Sequence, residues 1–252
     1  MASPYLCAAH LVPLRKSADQ SPDAPIDVRP VAVGEVLRRL VSKVCTAQSQ
    51  MKQAAADMEP VQCGLGTQGA CELIGLATGT IVRELHRQHP DQHNWAVLQV
   101  DLSNAFNCVS RQHMLQAFVD RCPEAAHWMA TSYSKPAHLF CGPLRLLSHC
   151  GVQQGDNMGP AGFCFASQDL WESFSDLDGV LWQAWYMDDG TLVGTLEGLS
   201  KVVAAIQSDG PTRGLFLNKK KCVLWGPAVT PANLVHHVDL SLIHISEPTR
   251  RS

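Results

Sequence analysis

Apolar residues recur at helical spacing in several stretches of the chain and predict its helices. Between residues 33 and 44 this spacing predicts an amphipathic helix. Its apolar side would consist of Val33, Val36, Leu37, Leu40, Val41 and Val44, and its other sides would carry Arg38, Arg39 and Lys43. A second helix is predicted from Ala70 to about His89, because Pro90 disfavours helical backbone in the residue before it.

Helices in the second half of the chain are predicted from capping residues and from one long apolar stretch. Ser110 is a candidate N-cap, and Pro123 is suited to the first turn of a helix. The stretch AGFCFASQDLWESF has the apolar character of a buried helix. The helices predicted in this way cover residues 110–120, 123–134, 161–174 and 199–208.

Shorter apolar runs predict strands and hairpins. Trp95–Val100 is a strand-like run that delivers Asp101 at its end. Residues 138–152 predict a hairpin across Gly142-Pro143, and Val180–Tyr186 with Thr191–Gly194 predicts another. Because hairpin pairing dominates, the fold class is predicted to be α+β, an antiparallel sheet backed by helices. The Pro- and Asp-rich residues 17–30 are predicted to form a loop or a hairpin connection.

Two segments receive no functional role from their sequence. The glycine-rich stretch VQCGLGTQG, residues 61–69, matches neither the dinucleotide fingerprint nor a P-loop. The tail SLIHISEPTRRS has no periodicity and no obvious packing face, and it resembles translated sequencing-adaptor sequence. We interpret residues 231–252 as an irregular tail that is partly non-native.

Composition predicts a globular intracellular protein. A chain of 252 residues with 46% hydrophobic content is long enough to bury a substantial core. It contains no apolar run near the ~20 residues of a membrane span, and its first residues show no basic leader. Ten cysteines without a Cys-x-x-Cys pair favour reduced, buried thiols over disulfides.

Acidic residues are concentrated in the middle of the chain. The formal net charge is −3, but residues 101–196 carry four Lys or Arg against ten Asp or Glu. Such an acidic centre is expected where bound cations, not side chains, neutralise incoming phosphates.

The tetrapeptide Tyr186-Met187-Asp188-Asp189 is the strongest candidate for chemistry. It lies between the two strands of the second predicted hairpin, with Asp189-Gly190 as the predicted turn. Two adjacent carboxylates at a hairpin tip are suited to Mg²⁺, which takes one or two protein carboxylates together with water and substrate phosphates. An isolated Asp-Asp-Gly is more often only a polar turn, so other residues must decide.

Five ordered blocks give the hairpin its context. They are RPVAVGEVLRRL, VLQVDLSNAFNCVSR, GVQQGDNMGP, WYMDDG and GLFLNKKKC, and together they resemble the reverse transcriptase family, especially enzymes of non-LTR retrotransposons. The resemblance spans about Leu11 to Leu224. It implies a polymerase palm at residues 95–230 and partial fingers at residues 1–94, with no recognisable thumb and hence a truncated product.

The resemblance implies a two-metal site. Asp101 and Asp188 match the family's metal-binding aspartates, and Asp189 matches the third carboxylate. The main-chain carbonyl of Leu102 is a further candidate ligand. Two Mg²⁺ ions, with Mn²⁺ as the alternative, would serve in-line phosphoryl transfer.

The resemblance also assigns substrate contacts. Phe106 matches the sugar gate, which rejects a 2′-hydroxyl by steric clash, and Gln154-Gly155 matches a turn that contacts nucleotide and template. Lys221 matches a general acid for the leaving pyrophosphate, with Lys219 and Lys220 as equal alternatives. The remaining implied substrate-binding residues are Lys16, Arg29, Tyr186 and Met187.

The implied function is DNA synthesis from dNTPs on an RNA or DNA template, with an RNA template and a DNA primer as partners. Nuclear localisation would follow for a eukaryotic retrotransposon. Two alternatives stay open: a catalytically inactive remnant that at most binds nucleic acid, and an RNA-dependent RNA polymerase.

Overall fold

The chain forms two compact units in a computed structural model that describes residues 6–15, 28–88, 94–237, 240 and 243–245. Within this described part, the first unit contains residues up to Ala54 together with Phe106–Ala166. The second unit contains Ala55–Ala105 and the residues from Ser167 onward. Each unit is thus assembled from two separate stretches of sequence.

The described residues contain strands and helices in mixed order, which confirms the α+β prediction. The strands are β1 (Ala9–Arg15), β2 (Val28–Gly34), β3 (Ala96–Val100), β4 (Ala137–Cys141), β5 (Leu144–Ser148), β6 (Val180–Tyr186), β7 (Asp189–Gly194), β8 (Val223–Trp225) and β9 (His244–Ile245). The helices are α1 (Val36–Ala47), α2 (Ser49–Ala56), α3 (Ala70–Gln88), α4 (Ala105–Cys108), α5 (Arg111–Arg121), α6 (Pro123–Tyr133), α7 (Gly159–Ser173), α8 (Leu196–Arg213) and α9 (Pro231–Leu234).

The first unit contains a four-stranded sheet with the order β2-β1-β4-β5. Its β1–β2 and β4–β5 pairs are antiparallel, whereas β1 and β4 run parallel. The β4–β5 pair confirms the hairpin predicted across Gly142-Pro143, and Gly142 supplies the positive φ of +55° at its tip. Of the predicted connection at residues 17–30, residues 28–30 belong to β2 and the others lie outside the described residues.

The predicted orientation of the first helix is wrong. Helix α1 buries Arg38 and Ser42, whereas its apolar residues are exposed, Leu37 by 67% and Leu40 by 56%. The guanidinium of Arg38 donates to Asp156 Oδ2 at 2.7 Å and to Gln153 Oε1 at 2.8 Å. A buried cation paired with the Asp156 carboxylate therefore replaces the apolar stripe as the inward face. Val33 lies in β2, not in this helix.

The second unit contains a five-stranded sheet with the order β6-β7-β3-β8-β9. Its strands are antiparallel neighbours except for β8 and β9, which are parallel. A core cluster of Trp95, Val97 and Val193 lies on this sheet, and α3 packs against it through Ile81, Val82 and Leu85. A helix thus backs an antiparallel sheet, as the hairpin pattern predicted.

Most helix predictions are confirmed within a few residues. Ser110 caps α5 by accepting a hydrogen bond from the His113 amide, and Pro123 begins α6. Helix α8 is longer than predicted: it begins after the N-cap Thr195 and ends at Gly214, whose φ is +75°. In the tail, Ile243 is buried and β9 pairs with β8, so residues 243–245 are more regular than the lack of periodicity predicted. Within the described ranges, no helix combines the length and apolar character needed to cross a bilayer.

Candidate active site

The register of the second sheet places Asp101 beside the tip of the β6–β7 hairpin. Val100, the last residue of β3, pairs with Gly190, so Asp101 follows opposite Asp189. Tyr186 pairs with Asp189 at the end of the hairpin. The sequence-predicted carboxylates of the second unit therefore come from a strand end and a neighbouring hairpin.

The turn of this hairpin differs from its prediction by two residues. Pairing of Tyr186 with Asp189 leaves Met187 and Asp188 as the turn, and Met187 has a φ of +57°. Asp189 and Gly190 instead begin β7. Gly190 is needed for space, because a Cβ there would lie 2.5 Å from the ring of Trp185. That ring is stacked on Trp171 with 3.7 Å between the centroids, so it has little freedom to move.

The charge of Asp101 affects Asp189. Asp189 is exposed as a whole residue, yet its carboxyl group is crowded enough that desolvation raises its pKa, and the Asp101 carboxylate raises it further. Both causes favour the protonated form, so a metal-free site resists carrying its full negative charge. A divalent cation would relieve this repulsion.

The donor set fits magnesium better than a metal enclosed by protein ligands. Among the residues that the structure describes, no group of three or more His, Cys, Asp or Glu side chains is arranged to hold a metal ion. Magnesium needs only one or two carboxylates when phosphates and waters complete its octahedron. Asp101 and one aspartate of the hairpin would be enough for that smaller requirement.

The main chain of Asp101 is held by the loop that precedes β8. Its carbonyl accepts from the Asn218 amide at 2.9 Å, and its amide donates to Cys222 Sγ at 3.4 Å. Leu102 forms an antiparallel bridge with Leu217. Burial raises the pKa of the Cys222 thiol, so this group stays neutral beside the site. Sequence reasoning assigned no role to Cys222 or Asn218.

The three consecutive lysines lie in this same loop. Lys221 is exposed, and its amide donates to the Asn218 carbonyl at 2.9 Å. Lys219 is half-buried and close enough to Cys222 for its charge to oppose the upward shift of the thiol pKa. The structure thus brings the basic run to the segment that supports Asp101. The general-acid role of Lys221, with Lys219 and Lys220 as its alternatives, stays a prediction.

Arg29, Gln154 and Gly155 are predicted substrate-binding residues of the first unit, and they lie on two neighbouring chain segments. The main-chain carbonyl of Gln154 accepts from the Ala32 amide at 2.6 Å. Ala32 belongs to β2, the strand that also contains the exposed Arg29. Gly155 has a φ of +111°, and a Cβ there would lie 2.5 Å from the Ala32 carbonyl oxygen. The turn therefore requires glycine both for its conformation and for its close approach to β2.

Phe106 lies in the short helix α4 and is half-buried. Its ring stacks on Phe163 with 4.9 Å between centroids and an interplanar angle of 18°. Its carbonyl accepts from the Val152 amide at 2.7 Å, so the segment that leads to Gln154 is tied to it. The predicted Lys16 contact lies outside the described residues.

Sequence reasoning missed two residues at the hairpin. The side chain of Gln62 hydrogen-bonds to the main chain of Met187, and Gly64 approaches the same residue closely. Both belong to the glycine-rich stretch that matched no phosphate-binding motif. Only the glycine content marked this segment, and glycine content does not say which distant residue it will meet.

The chain is similar to several solved structures of telomerase. Apo telomerase from Candida tropicalis, truncated from its C-terminal domain, matches with a TM-score of 0.61 and 11% identity over 92% of this chain and 52% of that one. C. tropicalis telomerase in complex with a TWJ fragment of telomeric RNA matches with a TM-score of 0.61 and 10% identity over 88% of this chain and 41% of that one. The corresponding Candida albicans complex gives 0.56 and 12% identity over 92% and 43%.

These similarities confirm the predicted polymerase-type α+β fold. The chain spans about half the length of these structures, between 41% and 52%. A comparison with curated protein sequences gives no match. The profile of the family described as reverse transcriptase (RNA-dependent DNA polymerase) matches residues 15–233, which is most of the 252-residue chain. The chain therefore belongs to the reverse transcriptase family.

Proposed function

We propose that this chain is the catalytic core of an RNA-directed DNA polymerase that extends a DNA primer from dNTPs. The observation that carries the proposal is the position of Asp101 beside the β6–β7 tip, close enough for its charge to raise the pKa of Asp189. Like charges brought together at a strand end are costly unless a cation binds there. Family membership supplies the reaction class. The site lies within residues 95–230, which we assign to the palm. We assign residues 1–94 to partial fingers. We also propose a retrotransposon as the origin of the chain.

The carboxylates would hold two Mg²⁺ ions, or Mn²⁺. When bound, the ions would stabilise the attacking 3′-oxygen and the leaving phosphate oxygens of an in-line displacement. We assign Asp101 and Asp188 as the principal ligands and Asp189 as the third carboxylate. The Leu102 bridge uses the Asp101 carbonyl and the Ser103 amide for its hydrogen bonds. This pattern directs the Leu102 carbonyl away from the ladder, and we assign it as a further ligand.

Substrate contacts follow from the remaining side chains. The Phe106 ring, braced by Phe163, would close the space beneath the 2′ carbon and so favour deoxynucleotides. Gln154 and Gly155 would contact the nucleotide and template, and Arg29 would bind the triphosphate with its planar guanidinium. Tyr186 and Met187 would line the nucleotide site from the hairpin. Lys221 would donate a proton to the leaving pyrophosphate, with Lys219 and Lys220 as its alternatives.

RNA is the template that we assign. Two similar solved structures are telomerases in complex with a fragment of telomeric RNA, which supports RNA as a partner of this fold. An A-form template duplex would be bound by its shape and phosphates, not by its sequence. Because the residues around the hairpin are acidic, the triphosphate would need bound cations to neutralise its charge there.

Primer extension tests the proposed function. Purified protein, an RNA template with a DNA primer, dNTPs and Mg²⁺ should give extension that EDTA abolishes and that Asp188→Ala lacks. Asp209→Asn is a matched control, because Asp209 is an exposed carboxylate on α8. Wild-type extension no greater than that of Asp188→Ala would refute the activity and favour the inactive remnant. Extension with rNTPs instead of dNTPs would favour an RNA polymerase.

A further inference from the structure

We propose that Gln62 is a positioning residue that fixes the Met187-Asp188 turn and thereby aims the Asp188 carboxylate at the metal site. The expected effect on metal binding and turnover rests on the proposed function. The support that Gln62 gives to the turn rests on the geometry of the turn itself. Gln62 lies in the glycine-rich stretch 61–69, far from the hairpin in sequence.

The side-chain amide of Gln62 is bonded to both sides of Met187. Its Oε1 accepts from the Met187 amide at 2.8 Å, and its Nε2 donates to the Met187 carbonyl at 3.0 Å. These two main-chain groups belong to the two peptide units that flank Met187. The second of those units contains the amide nitrogen of Asp188. One side chain therefore fixes both peptide planes that lead into the catalytic aspartate.

Gln62 is itself firmly held. It is completely buried, with 0% of its surface exposed, and its main-chain amide donates to the Met58 carbonyl at 3.0 Å. The residues on either side bind the hairpin directly. The Trp185 amide donates to the Val61 carbonyl at 2.7 Å, and the Cys63 amide donates to the Trp185 carbonyl at 2.8 Å. The segment thus pairs with the end of β6 through a parallel bridge between Gln62 and Trp185.

Gly64 completes the contact. Its amide donates to Gln62 Oε1 at 2.9 Å, which orients the side-chain amide so that Nε2 faces the Met187 carbonyl. A Cβ at this position would lie 2.7 Å from the Met187 amide nitrogen and 2.8 Å from Gln62 Oε1. Residue 64 must therefore be glycine for the hydrogen bonds to form.

The turn needs this support because of its conformation. Met187 has a φ of +57°, which residues with a side chain rarely adopt. Two-residue hairpin turns usually place Asn or Gly at such positions, and Met supplies neither. Without Gln62, the peptide planes around Met187 gain alternatives, and the direction of the Asp188 side chain is no longer fixed. Metal binding and turnover would suffer more than nucleotide affinity.

Only glutamine can both accept from the Met187 amide and donate to the Met187 carbonyl from this position. It presents an acceptor and a donor at the end of a side chain of the right length. Glutamate at this position would accept from the Met187 amide but would not donate to its carbonyl, and it would add a negative charge near the site. Alanine would leave both main-chain groups without their present partner.

Two measurements that require no polymerisation test the inference. Selective ¹⁵N-methionine labelling gives few amide signals, because the chain has seven methionines, and reports exchange at Met187 with solvent. Titration with Mn²⁺, followed by its electron paramagnetic resonance signal, reports metal affinity. Both are compared in wild type, Gln62→Ala and Gln62→Glu. Gln183→Ala is the matched control: Gln183 is 5% exposed on β6, and its side-chain amide donates to the Trp171 carbonyl and the Ser175 hydroxyl and accepts from the Trp185 indole, none of which belongs to the Met187-Asp188 turn.

In Gln62→Ala we expect Met187 exchange to accelerate by about tenfold or more, with weaker Mn²⁺ binding. In Gln62→Glu the Met187 amide should keep most of its protection. Where extension is measured, kcat should fall in Gln62→Ala while KM for dNTP changes little. Gln183→Ala should lower thermal stability without changing Met187 exchange or Mn²⁺ affinity.

Unchanged Met187 exchange and Mn²⁺ affinity in Gln62→Ala would overturn the inference, and so would equal changes in Gln183→Ala. An inactive wild type with the expected exchange and metal results would refute the proposed function alone. An active wild type whose activity and exchange survive Gln62→Ala would refute the positioning role alone.

Discussion

Asp189 shows how single charges shape the candidate site. Its pKa is raised by desolvation and by Asp101, so the folded state favours the protonated carboxyl more than the unfolded state does. Ionisation of Asp189 therefore lowers the free energy of unfolding. This loss is absent below the ordinary pKa of 3.8 and is complete above the folded-state pKa.

We expect Asp189→Asn to raise the melting temperature of the metal-free protein at pH 7 by roughly 1–3 °C. The gain should shrink as the pH falls toward 3.8, because the wild-type carboxyl then becomes neutral in both states. Mg²⁺ should stabilise the wild type more than the variant. Scanning calorimetry in EDTA across this pH range checks the effect, and a gain independent of pH would contradict it.

Phe106 allows a second test at a single side chain. If its ring is the sugar gate, Phe106→Val should raise the ratio of rNTP to dNTP incorporation by about tenfold or more. Phe163→Val is the matched control, because it removes the other ring of the same stacked pair. Competition between rNTP and dNTP in single-nucleotide extension measures the ratio. An equal rise in both variants would show that packing, not the gate, sets selectivity.

The sequence predicted those candidate site residues that end or interrupt a local pattern. Asp101 follows a β-rich run, and Asp188 and Asp189 lie between two such runs, so local hydrophobicity marked their positions, whereas the resemblance to a family supplied their proposed roles. Gln62 and Cys222 bond to main-chain groups of residues far away in the chain. Neither has a local pattern that distinguishes it from an ordinary buried polar residue.

At the scale of elements, the β6–β7 hairpin depends on Gly190. An added Cβ would press on the Trp185 ring, which is fully buried and stacked on Trp171. We expect Gly190→Ala to lower the free energy of unfolding by about 1–3 kcal/mol, as overpacking does. Gly75→Ala is the control on α3: it meets no heavy atom within 4 Å and should stabilise by roughly 0.5–1 kcal/mol. Urea denaturation measures both, and a neutral Gly190→Ala would contradict the packing argument.

Helix α1 gives the other element-scale prediction. Arg38→Ala would leave the Asp156 carboxylate buried without its cation, although the Tyr133 hydroxyl would still donate to it. We expect a loss of about 3–5 kcal/mol in the free energy of unfolding. Arg39→Ala and Leu40→Ala, both at exposed positions, should stay within about 0.5 kcal/mol. Urea denaturation measures the free energies of unfolding. A larger loss in this free energy for Leu40→Ala than for Arg38→Ala would show that the apolar face of α1, and not Arg38, faces inward.

Elements were predicted well where their signals are local. Ser110 and Pro123 mark real helix starts, and Gly142 marks a real hairpin tip. The orientation of α1 failed because periodicity identifies an apolar face without showing that the face is buried. Helix α8 extends beyond its predicted range at both ends, and its last turns include Pro211, a residue type that usually interrupts a helix.

At the scale of the whole molecule, each compact unit combines two distant stretches of sequence. Composition and periodicity describe neighbours along the chain, so they predicted an α+β fold but not which strands would join. The order β6-β7-β3-β8-β9 brings β8, which follows the three lysines, against β3, the strand that precedes Asp101. The order of the five sequence blocks supplied that long-range information, through their resemblance to a family with a known arrangement.

The central claim is that Asp101 and Asp188 serve one metal-dependent site. The rate of first-nucleotide incorporation with Mg²⁺ should be compared in wild type, Asp101→Asn, Asp188→Asn and the double variant. Each single variant should lose roughly two or more orders of magnitude. The double variant should lose little more, because residues that act as a unit are not additive. Wild-type rates in either single variant, or losses that multiply in the double variant, would contradict the claim.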